Sequence, residues 1–280
     1  MDVSPRLLQH LVTIAVDLLR LCAWLVLLLV IFAPVERLWP LHRQKLFRKN
    51  FGSDLVYYFL SGFAPKLLLI LPLSLVAAGV HRLAAGGLYP WVAAMPAGIR
   101  FLAATGVGEI GFYWGHRWSH EIPLLWRFHS LHHSAEEIDW LVSSRAHPID
   151  MVFTRLCGLV PMYLLGLAQP MGNSVDLVPV LVTLAGTVWG FFIHANVNWR
   201  FGWLERIVSS PHFHHWHHTN DGPECINKNY APMLPWVDQM FGTLYLPKRA
   251  WPLKYGTDTQ LAPSVAGQLL EPLAPRASTY

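Results

Sequence analysis

The 280-residue chain is short of charge. Asp, Glu, Lys and Arg make up only 14% of it, while 53% is hydrophobic and the mean hydropathy is +0.33. A soluble domain usually carries about 25% charge, so this composition points to a membrane protein. The chain is also short of cysteine. Cys22, Cys157 and Cys225 lie far apart and form no C-x-x-C pair, which excludes a disulfide framework and a thiolate zinc site. There is no C-x-x-C-H haem attachment, no cysteine cluster and no flavin fingerprint, so any electrons must come from outside the chain. Neither H-E-x-x-H nor the Glu-x-x-His pair of carboxylate-rich two-metal bundles is present. The net charge of +4 comes without Lys/Arg runs interleaved with aromatics, so nucleic acid is not an expected partner.

What the chain has in excess is histidine. Twelve of its fifteen histidines lie between His116 and His218. His116 and His120 are four apart. His129, His132 and His133 repeat an H-x-x-H-H spacing that returns as His214, His217 and His218. Residues three and four apart share a helix face, so each set is expected to point in one direction, and the two triplets to form halves of one site. Neutral imidazole suits Fe, Zn, Cu or Ni. With His194 the candidates number nine, too many for one tetrahedral zinc and suited to two ions of higher coordination. Zinc has no redox chemistry, so iron is the choice if the task is O2 activation. His147 precedes Pro148 at a helix start and could be a ligand or could support one. In His212–His218 the register 214/217/218 competes with 212/215. Isolated His10, His42 and His81 read as ordinary residues.

Along the chain, residues 1–10 lack the features of a cleaved signal. Apolar stretches predict membrane helices over about 11–32, 55–80, 99–115, 149–167 and 177–194. Asp17 and Arg20 interrupt the first as a pair or at an interface, and Pro65 and Lys66 are expected to kink or shorten the second. Pro123 should end a helix. Arg37, Arg43, Lys45, Arg48 and Lys49 make 35–50 a cytosolic loop by the positive-inside rule. Counting crossings from there puts 82–98 and 168–176 outside and both histidine clusters inside. Trp199 and Trp203 read as an interfacial belt. Gly106, Gly108, Gly111 and Gly115 form a stripe that allows close helix approach. Glu109, Asp139, Asp150, Asp221 and Asp238 are candidates to orient imidazoles, with Arg117, Arg127 and Arg145 to hold those carboxylates. The expected fold is an all-α integral membrane protein with four to five transmembrane helices and a cytosolic histidine-rich helical cap. It divides into N-terminal membrane helices and basic loop (1–98), a catalytic segment (99–250) and a Pro-rich tail (251–280), an irregular strap or disordered.

The runs H116-R-W-S-H120, P123-L-L-W-R-F-H129-S-L-H132-H133-S and S210-P-H-F-H214-H-W-H217-H218 resemble the fatty acid hydroxylase superfamily, also called the sterol desaturase family. So do D139-W-L, R145-A-H147-P148, H194-A-N196, N229-Y230 and W236-V-D238…F241-G242-T243. The resemblance covers about residues 100–245. It implies an integral membrane di-iron oxygenase that hydroxylates or desaturates a lipid, with His116, His120, His129, His132, His133, His194, His214, His217 and His218 binding two iron ions and O2 as co-substrate. It further implies external electrons, for which a separate donor of cytochrome b5 or ferredoxin type with its reductase is expected. The expected location is a multi-pass place in a bacterial inner membrane, with the histidines on the cytosolic face by the crossing count. Two positions depart from the pattern. Glu109 stands where many members have Asp. Asn198 stands four residues after His194, where some members place a histidine; it could bind through a water, or the site could be one ligand short. His215 is a further, less settled candidate. A metal-dependent hydrolase and a metal transporter or store are the rival readings.

Overall fold

The computed structural model describes residues 4–83, 88–167, 177–248 and 250–274. Among them the chain is helical, with no strand beyond the isolated bridges Pro40–Val197 and Thr219–Tyr255. Two long helices come first, α1 (Pro5–Leu38) and α2 (Phe51–Leu83). A short α3 (Leu88–Ala93) lies in the stretch expected to be a plain loop. Then follow α4 (Ala97–Glu121), α5 (Pro123–His133), a 3-10 turn (Trp140–Ser144), α6 (Pro148–Leu164) and α7 (Leu177–His194). The short helices α8 (Pro211–His217), α9 (Trp236–Phe241) and α10 (Val265–Leu270) complete the order.

Three described helices are long and apolar enough to cross a membrane: Pro5–Leu38, Phe51–Gly79 and Leu177–His194. Their outward faces carry exposed Leu, Val and Ile. α6, at 17 residues, is short for a span. The expected shortening at Pro65 and Lys66 does not occur: α2 runs unbroken through Pro65 and Pro72. A proline removes one backbone bond, and the turns before Pro65 are held against α1. Tyr58 Oη bonds the Leu21 carbonyl at 2.8 Å, and Gly62 seats directly against the Leu21 side chain.

α4 and α6 pack closely because their facing residues are small. A Cβ on Gly111 would lie 2.1 Å from the Cys157 carbonyl oxygen, and one on Gly115 would lie 2.8 Å from Cys157 Cβ. Gly108 faces Met162, whereas Gly106 meets nothing within 4 Å. The stripe is thus three glycines long, and its contact aligns α4 against the middle and end of α6, from Thr154 to Met162.

The end of α1 is clamped to the 3-10 turn and to the residues that follow α7. Glu36 Oε1 accepts the backbone N–H groups of Trp140 and Asn196, both at 2.9 Å. Leu28 and Phe32 pack with Tyr58, Trp140, Leu141, Phe191, Ala195 and Val197 in the core beside the end of α7. The Asn196 amide bonds the backbone of His42 on both sides. The C-terminal segment is an ordered strap as far as it is described. Ser264 caps α10, Tyr57 Oη donates to Gln268 Oε1 at 2.7 Å, and Arg127 reaches the Ala274 carbonyl. Residues 168–176, expected to form an outer turn, lie outside the described residues.

Candidate metal centre

Three helix starts aim the histidines. Glu121 ends α4, Ile122 is extended, and Pro123 opens α5 at a position where its missing N–H has no partner to lose. Pro148 and Pro211 open α6 and α8 in the same way. His147 Nδ1 accepts from Ile149 N at 3.1 Å, and Ser210 Oγ accepts from Phe213 N at 3.2 Å.

The structure gathers the nine clustered histidines into two adjoining groups. His116, His120, His129, His133 and His217 form one; His132, His194, His214 and His218 form the other. Within each, one ring nitrogen per residue lies within 4.8 Å of all the others. The groups touch, with the His133 and His218 rings 4.4 Å apart and nearly parallel. Here the expectation of one direction per triplet fails. Adjacent residues diverge by about 100° around a helix, so the i, i+4 pair stays together and the middle histidine turns away. α5 gives His129 and His133 to the first group and His132 to the second. α8 gives His214 and His218 to the second group and His217 to the first.

The ring tautomers follow from the partners of Nδ1. His129 Nδ1 donates to Asp150 Oδ2 at 2.9 Å and His120 Nδ1 faces Asn227 Oδ1 at 3.3 Å. His116 Nδ1 donates to the Tyr230 carbonyl at 2.6 Å, His217 Nδ1 to Lys228 at 2.8 Å, His132 Nδ1 to Arg145 at 3.1 Å and His194 Nδ1 to Gly190 at 2.6 Å. A neutral imidazole with Nδ1–H has only a lone pair on Nε2. Yet His120 and His129 bring their Nε2 atoms to 3.1 Å, and His132 and His194 to 3.3 Å. His194 Nε2 also lies 3.0 Å from His214 Nε2 and 3.1 Å from His218 Nε2. In the His120–His129 and His132–His194 pairs both Nδ1 protons are placed elsewhere, and two lone pairs make no hydrogen bond. Around an ion with bonds of about 2.1 Å, neighbouring nitrogens stand roughly 3.0–3.4 Å apart, so the spacing fits a cation among them. The Nε2 atoms of His133 and His217 are buried without a protein partner, as ligand atoms would be. Burial, and next the neighbouring imidazoles, push His132, His133, His214, His217 and His218 well below the usual histidine range. The neutral form that binds metal is therefore the resting form.

The remaining candidates lie elsewhere. Both nitrogens of His147 are engaged, Nδ1 in its cap and Nε2 with the Leu269 carbonyl at 3.1 Å. His215 is held between Tyr255 Oη (2.8 Å) and the Ala195 carbonyl (3.2 Å). His212 lies against Glu205 and the Ala250 carbonyl. Asn198 is exposed, and its backbone N–H bonds the Trp39 carbonyl. Trp199 packs on Trp39 and Trp203 is exposed.

The carboxylates are held differently from expectation. Arg48 makes a two-bond grip on Asp139 at 2.7 and 2.8 Å and also pairs with Asp54 at 2.6 Å. Arg145 pairs with Asp54 at 2.5 Å, Arg117 with Glu121, and Arg127 with a carbonyl. None of the three arginines proposed for the task meets Asp139, Asp150, Asp221 or Asp238. Glu109 orients no imidazole: it accepts the Met233 and Leu234 N–H groups at 2.6 and 2.7 Å. Asp238 accepts the Tyr230 and Ala231 N–H groups, and burial raises its carboxyl to about 6. Asn227 and Asn229 adopt left-handed backbone, which asparagine tolerates. Between them the chain turns Asn227 Oδ1 and the carbonyls of Lys228 and Tyr230 onto three rings. N229-Y230 was the sequence signal for this segment, but carbonyl partners are invisible in side-chain identity.

The fold and the nitrogen cage define a class: a helical protein with apolar helices of spanning length and a two-compartment histidine centre suited to metal ions. The chain belongs to the fatty acid hydroxylase family, whose model matches residues 101–243. It is 34% identical to an ornithine lipid hydroxylase of Rhizobium tropici over 185 residues, 66% of this chain and 53% of that protein. It is 34% identical to an alkylglycerol monooxygenase of Danio rerio over 55% of this chain and 31% of that one. The human alkylglycerol monooxygenase is 33% identical over 48% and 28%. The chain thus spans about half the length of the first of these relatives and about a third of the others. No solved structure matches it.

Proposed function

We propose that this protein is a membrane-bound oxygenase that holds two iron ions in its nine-histidine cage and uses O2 and external electrons to hydroxylate a lipid C–H bond. The observation that carries the reading is that His120 and His129, and His132 and His194, face one another through Nε2 lone pairs at 3.1 and 3.3 Å with their Nδ1 protons spent elsewhere. Five nitrogens would hold one ion and four the other. When bound, iron supplies the redox chemistry needed to activate O2, which zinc lacks. The chain's own part is to fix the rings through Asp150, Asn227 and four carbonyls, and to keep bulk water from the cage by burying it. The names of the similar proteins, a lipid hydroxylase and monooxygenases, favour hydroxylation over desaturation.

The proposed topology has four to five spans, with α4 and α6 joining the three apolar helices and the cage on the cytosolic side. Exposed Arg37, Arg43, Lys45 and Lys49 support that orientation. They also suit the approach of an acidic electron donor of cytochrome b5 or ferredoxin type. Metal analysis of the purified protein should find about two irons per chain. Lipid extracts of cells with and without the chain should differ by a product heavier by one oxygen. One zinc per chain, or turnover that needs no O2, would sink the proposal.

A further inference from the structure

Ionisable residues stand in the middle of the two longest apolar helices. Arg20 lies ~22 Å from the start of α1 and ~27 Å from its end, at 1.5 Å per residue. Lys66 lies ~22 Å from the start of α2 and ~20 Å from Gly79, where its apolar span ends. Both cations converge on one carboxylate. Asp17 Oδ1 is 3.2 Å from Lys66 Nζ and 3.5 Å from Arg20. Asp17 is largely covered, its side chain 23% exposed, whereas Lys66 is 56% and Arg20 72% exposed on the outer surface of the helix pair. The surroundings are apolar, with Leu18, Leu19, Leu67 and Leu68 exposed beside them.

One acid against two bases leaves a positive charge on the outside of the bundle, within helices of spanning length. Charged groups in such segments are costly and mark partners or pathways. The triad's ion pairs run within α1 and between α1 and α2 and include no histidine of the cage. The cage therefore does not account for it. We infer that the α1–α2 face carrying Arg20 and Lys66 docks a transmembrane helix of another protein that presents a carboxylate at matching depth. Such a helix would neutralise the excess charge and cover the apolar rim. A second copy of this chain would bring two cations with its one acid and leave the excess standing. The inference is independent of the reaction performed at the cage.

The test uses the full chain reconstituted in phosphatidylcholine vesicles. The probes are fluorescent, Lys-flanked Leu/Ala peptides of about 20 residues carrying either Glu or Gln at the centre, with energy transfer as the readout. The Glu peptide should associate about tenfold more tightly than the Gln peptide. Arg20→Gln with Lys66→Gln should erase that preference while metal content stays unchanged. Asp17→Asn, which removes the competing acid and keeps both cations, should enlarge it, and decides the matter if the double variant does not fold. Equal binding of the two peptides overturns the inference. So does a preference that survives the double variant, one that appears only with anionic phospholipid, or self-association of the chain that needs the same two cations.

Discussion

Replacing Asp150 with asparagine isolates the value of one negative charge behind the cage. Asp150 Oδ2 takes the His129 Nδ1 proton at 2.9 Å, and Oδ1 takes the Ser119 hydroxyl at 3.1 Å. Both are buried, and of the nine caged histidines His129 is the one whose Nδ1 is paired with a carboxylate. Asparagine keeps the shape and still offers a carbonyl oxygen to the ring. It loses a charge-assisted bond of roughly 1.5–3 kcal/mol for a neutral one of roughly 0.5–1.5 kcal/mol. The difference, about 1–1.5 kcal/mol, is about 5- to 12-fold in metal affinity, at the low end of the roughly 10–100-fold seen when such orienting groups are changed. Asp150→Ala removes both bonds and frees the ring, so its loss should be larger, on the order of 100-fold. Competition with a chelator, followed by metal content, measures both. If Asp150→Asn retained metal as tightly as the native chain, a carboxylate would not be strengthening His129, and the assignment of ring orientation from Nδ1 partners would be wrong.

Other perturbations read other parts of the structure. Gly111→Ala would place a methyl 2.1 Å from the Cys157 carbonyl and force α4 from α6, costing about 1–3 kcal/mol or more; a thermal melt that does not move would refute the close approach. His214→Ala should lower metal content, whereas His215→Ala should leave it near the native value and cost only stability, since His215 is spent on Tyr255 and Ala195. Asp54→Asn removes a charge held by Arg48 and Arg145 in the interior, and breaking one partner of such a pair costs about 3–5 kcal/mol, seen as a lower unfolding midpoint. Metal-free protein should lose stability as pH falls below the ordinary histidine value of 6.5. His132, His133, His214, His217 and His218 are held neutral well below that value, so the unfolded chain binds more protons there. Unfolding midpoints at pH 7 and pH 5 would check the sign, and a flat profile would contradict it.

Much of the cage was legible in the chain itself. Six of the nine histidines stand out because their H-x-x-H-H spacing repeats, and His116 and His120 because they are four apart; spacing on a helix is a local property that needs no partner. The breaks at Pro123, Pro148 and Pro211 are equally local, since proline cannot continue a helix but opens one freely. The apolar runs marked the long helices on the same grounds. The division of labour among the histidines was not local. Which compartment His132 or His217 serves depends on how α5 and α8 face each other, and that is set by packing. The partners of the rings were hidden for a second reason: four of them are backbone carbonyls, which every residue possesses. Arg48 reaches Asp139 and Asp54 because loop 39–50 folds back over the cap, a long-range fact that put Arg117, Arg127 and Arg145 in the wrong roles. The strap through Gln268 and Leu269 was unreadable for the same reason, its order coming from Tyr57 and His147 rather than from its own pattern. The sequence alone determined a helical chain with spanning segments and two matched histidine triplets. Only the tertiary structure decided that each triplet is split between two histidine groups, because adjacent residues on a helix diverge and each meets a different neighbour.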